Sequence, residues 1–220
     1  METIYSLIAF FQKGGLFMYP ILLVFTVGAA IAFERWLQLG NIRRKNTTLW
    51  EQVQPLLAAG DFEQARETVN ADDSALARML GMGLARQGAV QRREDIEIAM
   101  EECMMEIIPQ LEKRTPYIAL LSNIATLLGL LGTIMGLIAA FTAVANANPA
   151  EKADLLSASI SVAMNTTAFG LMAAIPMLLL HAKLTSTTGH IVDSLEMASI
   201  KALNAISRFS KHQAQTDFEA

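Results

Sequence analysis

Three stretches of the chain carry no Asp, Glu, Lys or Arg: Leu16–Phe33, Thr115–Ala150 and Leu155–Ala182. A hydrocarbon layer about 30 Å thick is crossed by ~20 apolar residues of helix. Leu16–Phe33, with Gly14-Gly15 before it and Glu34-Arg35-Trp36 after it, fits one crossing. The second stretch has 36 residues, roughly 54 Å of helix and more than one bilayer needs. Its span is placed near Ile118–Ala140, with projecting ends, and the third near Ser159–Leu180. A chain of this size has no soluble interior that could hide all three.

Between the first two spans the pattern turns charged and helical. Gly60-Asp61 and Asp72-Asp73-Ser74 punctuate it, with N-caps expected at Asp61 and at Asp73 or Ser74. Ile96, Met100, Met104 and Ile107 recur at three and four along Arg92–Glu112, the stripe of an amphipathic helix. Only Pro109 and Pro116 interrupt the pattern before the second span, and a kinking Pro inside a continuing pattern predicts one helix of over 40 residues. Thr3–Gln12 reads as a short amphipathic helix at the outer interface. The charged segment after Ser207 reads as a tail.

The predicted fold class is therefore all-α and integral to the membrane, with three transmembrane helices and long helical extensions. Its organisation is an outer amphipathic segment over 1–15, spans over 16–37, 115–145 and 157–182, and a helical segment over 38–114. An outer loop covers 146–156, and a helix and tail cover 183–220. Positive charge orients it. Arg35, Arg43, Arg44, Lys45, Lys113 and Arg114 flank the long connection, and Lys183, Lys201, Arg208 and Lys211 follow the third span. The short outer connection has only Lys152. The N-terminus is expected outside and the C-terminus inside, with the first span retained because no small-residue cleavage site follows it. Trp36, Tyr19, Tyr117 and Lys183 suit the membrane boundaries.

Composition agrees and removes other classes. Of 220 residues, 53% are hydrophobic and 17% charged, against ~25% charged in a soluble domain, and the mean hydropathy is +0.36. A net charge of −4 leaves no basic surface for nucleic acid. The single cysteine, Cys103, excludes an internal disulfide and reads as a packing residue. His181, His190 and His212 are too scattered for a metal centre. No Ser/His pair, paired Asp or ligand set lies in the spans, so no catalytic residue, enzyme activity or cofactor is expected.

The candidate chemistry lies in the second and third spans. Gly129, Gly132, Gly136 and Ala140 leave one side of the second helix almost without side-chain volume, a packing surface for another helix. Thr126 and Thr133 are two turns apart on one face. In the third span, Ala163, Thr167, Gly170 and Ala174 form a matching small-residue row. Ser157, Ser159, Ser161, Asn165, Thr166 and Thr167 crowd its outer half. Ser161 and Asn165 share a face, and Thr166 and Thr167 are read as extending that polar arc. An amide in hydrocarbon is costly without partners, so the arc either joins subunits or lines a water-accessible passage. No Asp, Glu, His, Lys or Arg lies within the hydrocarbon-crossing parts Leu16–Phe33, Ile118–Ala140 and Ser159–Leu180, and His181 reads as an anchor at the inner boundary. If ions cross, the titrating group comes from a partner.

Gly129-Leu130-Leu131-Gly132-Thr133-Ile134-Met135-Gly136-Leu137-Ile138-Ala139-Ala140-Phe141 closely resembles the second-span signature of the TolQ/ExbB/MotA ion-channel family. Thr167-Ala168-Phe169-Gly170-Leu171-Met172-Ala173-Ala174-Ile175-Pro176 resembles its third-span signature, and Glu34-Arg35 and Gly60-Asp61-Phe62 fit as well. The three-span topology points to TolQ/ExbB-type members. The resemblance implies a homopentamer in the bacterial inner membrane around a single-span ExbD/TolR-like partner whose membrane aspartate takes up and releases the ion. A TonB/TolA-like protein would receive the work. Thr133 and Thr167 match the family's polar residues facing that aspartate, and the ion pathway is assigned to them with Thr166, Asn165 and Ser161. The competing reading is an oligomeric scaffold without ion conduction.

Two departures bear on the ion. Proton-driven ExbB-type members carry a glutamate where this chain has Val162, and the family often has proline where it has Thr126. Sodium-driven flagellar members carry a Thr-Thr pair matching Thr166-Thr167. Sodium and proton both stand. If the pair marks sodium coupling, replacing external sodium by choline at fixed pH abolishes the ion-driven activity; unchanged activity rules sodium coupling out.

Overall fold

A computed structural model describes residues 14–86 and 93–219, with side chains as far as 209. The amphipathic stretch expected over Thr3–Gln12 lies outside the described residues, as does Arg92. All regular structure among the described residues is α-helix: α1 Met18–Ala59, α2 Phe62–Asn70, α3 Ala75–Arg86, α4 Arg93–Glu112, α5 Thr115–Asn146 and α6 Lys152–Glu219. α1, α5 and α6 carry the stretches long and apolar enough to cross a membrane. The helices form two compact units. An apolar unit takes residues 14–35 and 114–184; a charged unit takes 36–113 and 185–219.

The apolar unit is held by the small residues of α5 and α6. A Cβ on Gly170 would lie 2.8 Å from the Ala125 carbonyl oxygen and 3.0 Å from the Gly129 Cα, so the two backbones touch there. Gly132 meets the Thr166 methyl group one turn away, and Gly136 meets Ala163 two turns away. On the other side Ser122, fully buried, donates to the Ala174 carbonyl at 2.8 Å. The contacts run down α5 as they run up α6, so the pair is antiparallel. α1 packs on it through Gly28, which faces Met177 and Leu121, and through fully buried Met18 and Ile21. Leu23, Leu127, Ile138, Phe141 and Leu179 stand outward and exposed. Such a continuous apolar exterior suits lipid or a second subunit.

In the charged unit the helical stripe of α4 is inward: Ile96, Met100, Met104 and Ile107 are all buried. Gly83 of α3 sits against Met100 and Ile96. Asp61 accepts from the Gln64 N–H and caps α2. At α3 the cap is Ser74, which accepts from the Ala77 N–H, while Asp72 accepts from the Ser74 N–H. Asn46 of α1 accepts from the Leu76 N–H and holds the same helix start from outside. Gly60 ends α1 at φ +79°, its α-carbon against the Phe209 ring, where a side chain would find neither the conformation nor the room. Cys103 is buried; burial pushes its thiol pKa up, countered in part by Arg78, as suits a packing residue.

Two expectations need correction. The helix predicted to run unbroken from Arg92 into the second span stops at Glu112, and α5 starts afresh at Thr115. Pro116 has no N–H and its ring would meet the carbonyl four residues back, so it is accommodated in the first turn of a new helix instead. Arg114 makes the turn in the left-handed region, φ +66°, a conformation that costs a non-glycine residue ~1–2 kcal/mol. Its guanidinium grips both oxygens of Glu34 at 2.6 and 2.8 Å, tying the turn to α1. The second correction is at the C-terminus, where the segment after Ser207 continues α6 as helix to Glu219.

The contact at Gly170 is with backbone, which cannot swing aside as a side chain can. Gly170→Ala is therefore expected to destabilise the detergent-purified protein by about 1–3 kcal/mol. Gly40→Ala, within α1 and with nothing within 4 Å of the added methyl, should stabilise it by roughly 0.5–1 kcal/mol. Thermal unfolding of both variants checks this; a Gly170→Ala midpoint equal to wild type would contradict the packing described.

Candidate ion-pathway site

The α5–α6 contact decides which hydroxyls meet. Because Gly129 has no side chain, α6 comes close enough for the Thr167 hydroxyl to donate to the Gly129 carbonyl oxygen at 2.8 Å. In an α-helix that same carbonyl accepts the N–H of the residue four ahead, which is Thr133. Thr167 thus docks on the turn that carries Thr133. The Thr133 hydroxyl donates to the Leu130 carbonyl of its own helix at 2.6 Å. Both threonines are half-buried. With both hydroxyl protons committed to carbonyls, what each oxygen has left to offer is lone pairs. Such a pair of oxygens can help to coordinate a cation or solvate it, and neither can hold a proton of its own at accessible pH.

Thr166 has a different role. It is buried, and its hydroxyl donates to the Gly14 carbonyl as well as lying 3.0 Å from the Val162 carbonyl. It fastens the segment before α1 onto α6, where Gly15 turns at φ +74° against Val162. Ser161 and Asn165 do not join the threonine pair. At about 100° per residue, Asn165 lies roughly 160° and Ser161 roughly 120° round α6 from Thr167. The single polar arc expected from the sequence is therefore two faces and a buried tie between them. Ser161 is exposed and Asn165 half-buried, and neither side chain hydrogen-bonds another described residue. With Asp154 and Ser157 they form one line at spacings of three, four and four on the outward side of α6.

Sequence reasoning passed over two further polar residues of the second span. Ser122 binds α6 across the seam. Asn123 is exposed on α5, and its amide has no hydrogen-bond partner among the described residues. Asn123 carries the same signal as Asn165, an amide inside a charge-free stretch of membrane length. Ser122 gives less warning, because a lone serine usually bonds within its own helix. Charged groups stand only at the ends of the apolar unit, as in the Arg114–Glu34 pair. Among the described residues no cluster of His, Cys, Asp and Glu could hold a metal ion.

Three helices with apolar stretches long enough to cross a membrane, joined through small residues and interhelix hydroxyl bonds, define a multi-pass membrane protein. Comparison with known proteins narrows this. The model of the MotA/TolQ/ExbB proton channel family matches residues 71–197, and the chain belongs to that family. A putative biopolymer transport protein ExbB homolog of Methanothermobacter thermautotrophicus is 25% identical over 194 residues, which cover 87% of this chain and 67% of that protein. A putative biopolymer transport protein ExbB-like 1 of Synechocystis sp. is 28% identical over 190 residues, 83% of this chain and 72% of the relative. The Tol-Pal system protein TolQ of Haemophilus influenzae is 34% identical over 87 residues, 40% of this chain and 38% of that one. The family is one of channel subunits rather than enzymes.

Proposed function

We propose that this chain is the ion-conducting subunit of a motor driven by ion-motive force, in which Thr133 and Thr167 face a carboxylate supplied by another protein. The observation that carries the reading is the meeting of the Thr167 hydroxyl with the Thr133 turn at the Gly129 carbonyl. It gathers oxygen lone pairs where the two helices cross, in stretches with no Asp, Glu, His, Lys or Arg. Membership of a proton channel family and similarity to ExbB-like and TolQ proteins support it. The subunit is read as a homopentamer of the inner membrane, N-terminus outside, around a single-span ExbD/TolR-like partner bearing a membrane aspartate. A TonB/TolA-like protein is the receiver of the work, in uptake, Tol-type or gliding-type transport.

The division of labour follows from chemistry. The partner's carboxylate is negative while empty and neutral when it holds the ion. A partly dehydrated cation approaching it needs ligands that do not trap it by full charge, and hydroxyl and carbonyl oxygens meet that need. Thr133 and Thr167 offer oxygens whose protons already point at helix carbonyls, so they accept rather than donate. The charged unit would then lie on the cytoplasmic side. The scaffold reading keeps one observation in its favour, since Ser122 and Thr166 spend their hydroxyls on interhelix ties.

The two readings part at Thr167→Val, which keeps shape and removes the oxygen. Assembly with the partner is expected to persist while ion-driven work falls by more than about tenfold, the loss of one strong polar contact. Thr167→Ser should restore most of it. A fully active Thr167→Val protein would make Thr167 structural and leave the scaffold reading standing.

A further inference from the structure

We infer that the charged unit carries a binding site for a small organic oxyanion, in a cavity between α1 and α6. The cavity holds about 300 Å³, the lower end of the range for small-molecule sites. Trp50, Gln54 and Leu57 reach it from α1; Lys201, Asn204 and Arg208 reach it from α6. Spacings of four and three on one helix, and three and four on the other, keep each set on a single face. The site is separate from the threonines of the apolar unit and does not depend on which ion, if any, passes them.

The charged groups of the wall are all donors, and only the amides of Gln54 and Asn204 bring an acceptor. Lys201 and Arg208 have no acceptor atom, and no Asp or Glu lines the cavity. Among the described residues neither cation is in an ion pair with a carboxylate. The Lys201 ammonium stands 5.7 Å from the centre of the Trp50 ring, which holds the charge in place without cancelling it. The Asn204 amide oxygen accepts from the Arg93 guanidinium at 3.1 Å, so its NH2 is the end left to bind. Two cations and an amide N–H lining one cavity, with no carboxylate among them, suit an oxyanion and repel a cation.

The remaining wall says what the anion is attached to. Leu57, Ala58 and Ala205 make it apolar, and the Phe209 ring stands beside them. Phe209 is fixed edge-on to Phe62 with ring centres 5.5 Å apart. An inorganic phosphate would fill only part of this space and leave the apolar wall wet. The ligand class is therefore a carboxylate or phosphate on a planar or aliphatic body. Bound there, it would join α1 to α6, two helices that also carry charge-free, membrane-length stretches.

Phenyl phosphate is a minimal probe, compared with inorganic phosphate, which lacks the body, and benzyl alcohol, which lacks the charge. The full-length protein, purified in detergent with its co-purifying subunits, is titrated by calorimetry. Trp36→Phe leaves Trp50 as the only tryptophan of the chain's two, so its fluorescence locates the binding. Saturable binding of phenyl phosphate is expected, at least about tenfold tighter than either comparator, and weakened roughly tenfold or more by Lys201→Gln or Arg208→Gln. Lys45→Gln, an exposed cation elsewhere on α1, should leave it unchanged. No saturable binding would overturn the proposal, as would equal binding of inorganic phosphate or indifference to both α6 variants. Saturation by an acidic peptide such as oligo-glutamate, with none by phenyl phosphate, would overturn it in favour of a protein-docking surface.

Discussion

Everything in the apolar unit depends on the approach of two helix backbones at Gly129 and Gly170. In a membrane the hydrophobic effect does little to press one apolar helix on another, because lipid is as apolar as leucine. Close van der Waals contact and hydrogen bonds are left to do it, and both need side chains out of the way. Glycine at 129, 132, 136 and 170 clears the seam. Once the backbones touch, a threonine on α6 can reach a carbonyl on α5, a bond that bulkier residues would hold out of range. The seam thus acts as packing and as the device that sets Thr167 beside the turn of Thr133.

Between its charged ends, over Leu16–Phe33, Ile118–Ala140 and Ser159–Leu180, the same unit carries no carboxylate, amine or imidazole that could take and release a proton, which limits what it can do alone. Hydroxyl oxygens can guide a cation, and small residues can give a second helix room to move, but neither stores charge. A channel family built this way divides the chemistry between chains. The outward polar line of Asp154, Ser157, Ser161 and Asn165 stands apart from the threonine pair. An exposed amide in hydrocarbon is costly, so this face too needs water or a polar partner.

Local signals carried the fold a long way. Charge-free runs of membrane length, the Asp61 cap and the four-residue stripe of α4 are each decided by neighbours along the chain, and periodicity reads them directly. What failed was decided at a distance. Arg114 is an ordinary helix former, and its left-handed turn is held by Glu34, eighty positions away. Thr166 looks like its neighbour Thr167, yet a carbonyl at Gly14 claims it. Grouping Asn165 with Thr167 was a different error, since two residues of helix turn a side chain by about 200°. The Trp50–Lys201 cavity joins residues 151 positions apart, and no local pattern announces it.

The account stands or falls on whether the carboxylate missing from these spans arrives on another chain. Native mass spectrometry of the complex, released gently from its own membranes, tests that directly. A homopentamer carrying two copies of a one-span protein with a membrane aspartate is the predicted result. A homo-oligomer with no such subunit, reproduced across several mild detergents, would contradict it and leave a membrane scaffold in its place.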